Sequence, residues 1–131
     1  MKVSINWKAG LLFEGLAGNY TLTISAPQPS LDKKAVSPHE LLLFSLASSC
    51  GVEIVSKIEK TKSLNHFEVV ATATHDPKNH ELFSTIDLHF NFEGDCNKTE
   101  ILNAVEFSQY QSRSIGYLLS KILPIRWKIS I

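Results

Sequence analysis

Between Ser37 and about Lys60 the chain carries a helix signal that is apolar on every side. Ser37 can cap this helix, with Pro38 at its first position and Glu40 at its third, where serine and glutamate together form a capping box. At about 100° per residue, Leu41, Leu42, Leu43, Phe44, Leu46, Val52, Ile54, Val55 and Ile58 fall around the whole circumference. Water cannot face such a surface on any side, so other structure has to wrap it. One sheet covers only one side, and the simplest source of a second is another copy of the chain. The expectation is an obligate two-fold homodimer with this helix at the interface. Within the helix, Ala47-Ser48-Ser49-Cys50-Gly51 forms a small-residue patch that holds a thiol.

The rest of the chain supplies the wrapping. Val3, Ile5 and Trp7 alternate with polar residues, Leu12 and Phe13 precede Glu14-Gly15, and Tyr20, Leu22 and Ile24 alternate with Thr21, Thr23 and Ser25, which predicts a three-stranded meander. Pro27, Pro29 and Asp32-Lys33-Lys34 make a loop. After the helix, Phe67 to Thr74 and the alternation Ile86, Leu88, Phe90, Phe92 pair as a hairpin across Asp76-Pro77-Lys78-Asn79. Asn97 and Glu100 form a second capping box, and Ile101, Ala104, Val105 and Ser108 carry a helix to about Gln111. Ser114 to Ile122 is a short helix stopped by Pro124, and Ile125, Trp127, Ile129 and Ile131 alternate as a closing strand. The order is βββ-α-ββ-αα-β, an α+β fold of antiparallel sheets around a central buried helix, in a single domain of residues 1–131.

Charge narrows the partners. Thirteen basic residues balance thirteen acidic ones, and only Arg113 and Arg126 are arginines, so nucleic acid and anionic membranes are not expected to bind. The first residues alternate polar and apolar and lack a secretory pattern, and the apolar run from Leu41 to Ala47 falls far short of the roughly 18 residues of a membrane span. Two cysteines make no disulfide framework, which favours a reducing compartment, with the cytoplasm as the default.

Several side chains bear on chemistry. Cys50 reads either as small apolar packing or as a peroxidatic or redox-sensing thiolate, and the second needs a cation such as Arg113, or a histidine or lysine of a partner subunit. Ser49 reads as close packing, since no histidine lies at a spacing that would activate it. Glu40 reads as the capping-box acid, about 15 Å along a straight helix from Cys50. Cys96, in the turn Gly94-Asp95-Cys96-Asn97, reads as a surface thiol. His39, His66, His75, His80 and His89 make no tight metal pair, Asp87 and Glu93 lie on exposed strand positions, and no glycine-rich phosphate loop precedes a helix. No cofactor or metal is expected.

The element order, the run Ser37-Pro38-His39-Glu40-Leu41-Leu42-Leu43 before a small-residue patch, Gly51 followed by Glu53, the stretch Ala104 to Ser114, and Trp7 with Phe13-Glu14-Gly15 together resemble the OsmC/Ohr (osmotically inducible protein C and organic hydroperoxide resistance) family over nearly the whole chain. The resemblance implies an intertwined homodimer with interface sites that reduce organic hydroperoxides in the oxidative-stress response. In that family a helical cysteine attacks the peroxide, a second cysteine closes a disulfide, and dithiols such as lipoyl groups reopen it, without metal, haem or flavin. Laid on this chain without a gap, the family pattern puts Ser49 at the nucleophile position, Cys50 one residue later and Gln111 where the second cysteine stands. The resemblance puts Leu11 and Leu12 where the family's arginine stands and makes Glu40 the acid that pairs with that arginine; Arg113 of the late helix is a candidate cation.

Two functions of different class follow. One is a peroxide-reducing or redox-sensing protein that uses Cys50 alone, with an external thiol resolving the sulfenic acid, its two-cysteine chemistry weakened or lost. The other is a non-catalytic dimer that accepts a small apolar ligand in an interface pocket lined by Leu42, Phe44, Leu46 and Tyr117.

Overall fold

The computed structural model describes residues 1–26, 35–58, 64–111 and 114–131, the side chains of 79–82 excepted. Two compact units divide the chain, Met1–Leu42 and Leu43–Ile131. The expected loop through Pro27, Pro29 and Lys34 and the expected helix end at Lys60 lie outside the described residues.

The first unit holds the meander β1 (Ser4–Ala9), β2 (Leu12–Ala17) and β3 (Tyr20–Ser25), antiparallel throughout. Gly10 and Gly18 turn it at φ 53° and 60°, a left-handed geometry at the first turn residue that side chains with a Cβ resist. Paired residues on neighbouring strands share a face, so Ile5, Gly15 and Leu22 line up, as do Trp7, Phe13 and Ile24. The opposite face carries Asn6, Glu14 and Thr23 in one row and Ser4, Leu16 and Thr21 in the next. The meander is therefore sharply two-faced, yet Trp7 on its apolar side is 67% exposed. Val36 bonds back to β3, accepting from the Ser25 amide at 3.0 Å and donating to Thr23 at 3.2 Å, just before the helix begins.

Helix α1 (Pro38–Lys57) starts at the predicted capping box. Ser37 donates through its amide and hydroxyl to Glu40 Oε1 at 3.2 and 2.8 Å, and its Oγ accepts the Glu40 amide at 3.2 Å. Strands β4 (Leu64–Asp76), β5 (Asn79–Gly94) and β6 (Ile125–Ser130) form the second sheet in that order. Here the expectation of wholly antiparallel sheets needs correction, because β6 runs parallel to β5. The connection through α2 (Lys98–Tyr110) and α3 (Ile115–Ser120) carries the chain back to the end where β5 began, and such a crossover delivers a parallel strand. Asn97 caps α2 and Ser114 caps α3, each accepting the amide three residues on.

One face of this sheet is packed. Ile86, Leu88, Phe90 and Phe92 of β5 meet Leu46, Cys50 and Ile54 of α1 and Ile101, Ala104 and Val105 of α2 in a single buried cluster. Phe67 stacks on Phe92 with centroids 4.5 Å apart. The other face is polar, with Arg126 Nη2 donating to Asp87 at 2.7 Å and His89 2.6 Å from Ser130. No helix among the described residues is long and apolar enough to cross a membrane.

Burial divides α1 in two. The stripe Leu46, Cys50, Ile54 is fully buried, whereas Phe44 and Val52 on the opposite side are 62% and 70% exposed. The expected all-round burial is thus met on one face within the chain. A single sheet covers a single face, and the other stays open.

Candidate functional site

The thiol of Cys50 sits on the closed side of α1, with no exposed surface. α1 supplies it from mid-helix, and α2 supplies what it touches. Gln109 Nε2 donates to Cys50 Sγ at 3.4 Å and to Ser108 Oγ at 3.1 Å, while Ser108 Oγ donates to the Val105 carbonyl at 2.7 Å. The residue just before it on α1 is tied to the start of α3, where Ser49 Oγ accepts the Ile115 amide at 3.3 Å. Gly116 at the start of α3 is buried against this pair of helices, and a Cβ there would make only ordinary contacts, 3.6 Å from Leu46 Cδ1 and 3.8 Å from the Ser108 carbonyl.

Burial pushes the Cys50 thiol above its ordinary range, and Glu53 adds to that push. Gln109, Ser108 and the local backbone pull the other way by hydrogen bonding, but burial is the larger influence. The sulfur is therefore a neutral thiol at neutral pH, a weak nucleophile until deprotonated.

The other candidates fall in different places. Glu40 is engaged in the cap at the start of α1. Gln111 ends α2, its amide donating to Phe107 at 3.1 Å and its carbonyl accepting Ser114 at 2.9 Å. Arg113 lies outside the described residues, so the expected cation has no described position. Leu11 turns between β1 and β2 and is exposed. Cys96, expected on the surface, is half-buried against the core cluster, because the turn Gly94 to Asn97 folds its side chain inward. Among the described residues no three metal-ligating side chains gather.

The expected apolar pocket also changes. Leu46 belongs to the buried core and lines no opening, because it falls on the closed face of α1 with Cys50. Tyr117 is instead engaged with Lys121, whose Nζ stands 4.5 Å over its ring. The apolar groove lies on the open side of α1, about 690 Å³ lined by Ala47, Ser48, Gly51, Val52, Val55, Phe67 and Val69, with Ser56 at its end. The hydroxyls of Ser48 and Ser56 donate back to the helix carbonyls of Ser45 and Glu53, so they present little unsatisfied polarity to an apolar neighbour.

Gln109 joins the site without a motif of its own. Its signal is spacing, because Gln109 stands four residues after Val105 and so extends the buried stripe Ile101, Ala104, Val105, Ser108. A long amide on a buried stripe needs partners, and the thiol and hydroxyl beside it are the ones it finds.

Set against solved structures, the chain is similar to the OsmC-like protein of Mycoplasma pneumoniae with a TM-score of 0.83, covering 98% of this chain and 94% of that one at 16% identity. The chain has the OsmC fold. The organic hydroperoxide resistance protein OhrB of Bacillus subtilis shares it at a TM-score of 0.68 and 12% identity, over 98% of this chain and 96% of that one. In sequence, the protein YhfA of Escherichia coli K12 is 27% identical over 129 residues, spanning 95% of this chain and 93% of YhfA. No family model matches. The OsmC-fold relationship runs the length of the chain, but the site residues above are this chain's own.

Proposed function

We propose that this protein is a dimeric, single-domain member of the OsmC/Ohr group that reduces organic hydroperoxides slowly, through the one thiol of Cys50, with an external dithiol restoring it. The observation that carries the reading is the Gln109 contact. Cys50 is buried, yet its sulfur is met by a polar group rather than by hydrocarbon alone, a costly arrangement for a residue serving only to fill space. Slowness follows from the neutral thiol. The absence of a cysteine at Gln111 leaves resolution of the sulfenic acid to an outside thiol.

The dimer reading draws on two open apolar surfaces, the Trp7 face of the meander and the Val52 side of α1. Patches of this kind mark contact sites.

Hydroperoxide consumption tests the function. With dihydrolipoamide as reductant, the protein is expected to turn over an alkyl hydroperoxide at a rate abolished by Cys50→Ser; equal consumption by that variant rules the reading out. The second reading, a carrier of a small apolar ligand, is favoured by the α1 groove and predicts stoichiometric binding of an apolar fluorophore to the assembled protein.

A further inference from the structure

Gln109 is nine-tenths buried, at 9% exposure, and only one end of its side chain is satisfied. Both hydrogen bonds it makes leave from Nε2, to Cys50 Sγ and to Ser108 Oγ, and among the described residues Oε1 has no partner. No fully buried oxygen or nitrogen among the described side chains is unpartnered, so Oε1 reaches solvent. One carboxamide therefore holds the buried sulfur through Nε2 and keeps Oε1, which is not fully buried, as a free acceptor.

We propose that Gln109 is the residue that positions a hydroperoxide at Cys50, its Oε1 accepting the peroxide O–H beside the sulfur. This rests on the hydroperoxide reading above. The Nε2 contact to sulfur is long and weak, because a thiol is a poor acceptor, and it yields to the incoming peroxide while Oε1 keeps its hold. The Cys50 sulfur then attacks the peroxide oxygen, an S–O bond forms as the O–O bond breaks, and the electron pair leaves on the alkoxide. The thiol proton goes to that alkoxide, giving an alcohol and Cys50 sulfenic acid, with sulfur oxidised by two electrons and the hydroperoxide reduced by two. A dithiol returns the sulfenic acid to the thiol, releasing water and becoming a disulfide.

The test uses the assembled protein carrying Cys96→Ser, so that Cys50 is the thiol being read, with cumene hydroperoxide as probe and iodoacetamide as a reagent that needs no peroxide anchor. In Gln109→Leu, loss of one hydrogen bond is expected to slow thiol oxidation by the hydroperoxide about tenfold, with alkylation by iodoacetamide no slower than in the parent. Gln109→Glu keeps an acceptor oxygen and is expected to recover saturation at lower hydroperoxide than the leucine variant. A purely structural role would slow both reagents together. Oxidation of Gln109→Leu at the parental rate overturns the assignment and leaves the peroxide reading standing, whereas a parent that loses no thiol removes both. Gln109→Met replaces the leucine variant if circular dichroism shows that one unfolded.

Discussion

The two faces of α1 have nearly the same chemistry and opposite fates. Leu46, Cys50 and Ile54 are sealed under β5 and α2, whereas Phe44, Val52 and Val55, as apolar and a half-turn away, meet solvent. The closed face is where a polar cluster holds a thiol; the open one is a groove floored by small residues and satisfied hydroxyls. A helix that spends one apolar face on its own core and leaves the other bare is built for two environments. The fold supplies the first, and a second copy is the proposed source of the other.

The sharpest way to break that contrast is to place a charge on the open face. Val52→Glu is expected to abolish self-association, since burying an unpaired carboxylate costs about 3 to 5 kcal/mol, while the subunit keeps its helix content. Sedimentation velocity reads the first and circular dichroism the second. On the closed face, Ile54→Ala is expected to cost about 2 to 5 kcal/mol of folding stability in urea titration, and a similar cut at Val55 far less. Removing the cap with Ser37→Ala is expected to cost about 1 kcal/mol, because the Glu40 amide loses its acceptor. Smallest of all, Arg126→Ala on the exposed face of the second sheet is expected to leave the urea midpoint unchanged, since solvent screens its pair with Asp87.

Linkage adds a pH signature to the closed face. The folded Cys50 thiol titrates above its unfolded value, so the two states hold the same proton below the unfolded value and the contribution to stability is intact there. As pH climbs from the unfolded value through the raised folded one, the unfolded chain ionises first and stability falls. Cys50→Ala is expected to flatten that alkaline decline in urea midpoints measured across pH.

Much of this was legible in the chain. Alternation at Ile5 and Trp7 and at Ile86 to Phe92, the Ser37 to Glu40 box and the Asn97 cap each signal an element through local physics, and each element stands where the pattern put it. The parallel course of β6 was not legible, because alternation at Ile125 to Ile129 is the same in either direction and only the crossover sets it. Apolar character around α1 showed that cover was needed but not which side the subunit would supply. The site was harder still. Cys50 was visible as a thiol, but its environment comes from Gln109, 59 positions away along the chain, and no local pattern joins the two. Leu46 looked like pocket lining for the same reason, since apolar residues on either face of a helix read alike.

The pH dependence of Cys50 oxidation decides whether a neutral thiol reduces hydroperoxides slowly. In the Cys96→Ser protein with excess cumene hydroperoxide, the rate of thiol loss is expected to be low at neutral pH and to keep rising with pH past the ordinary thiol range. A rate already at its plateau at neutral pH would mean a preformed thiolate, and would contradict the account.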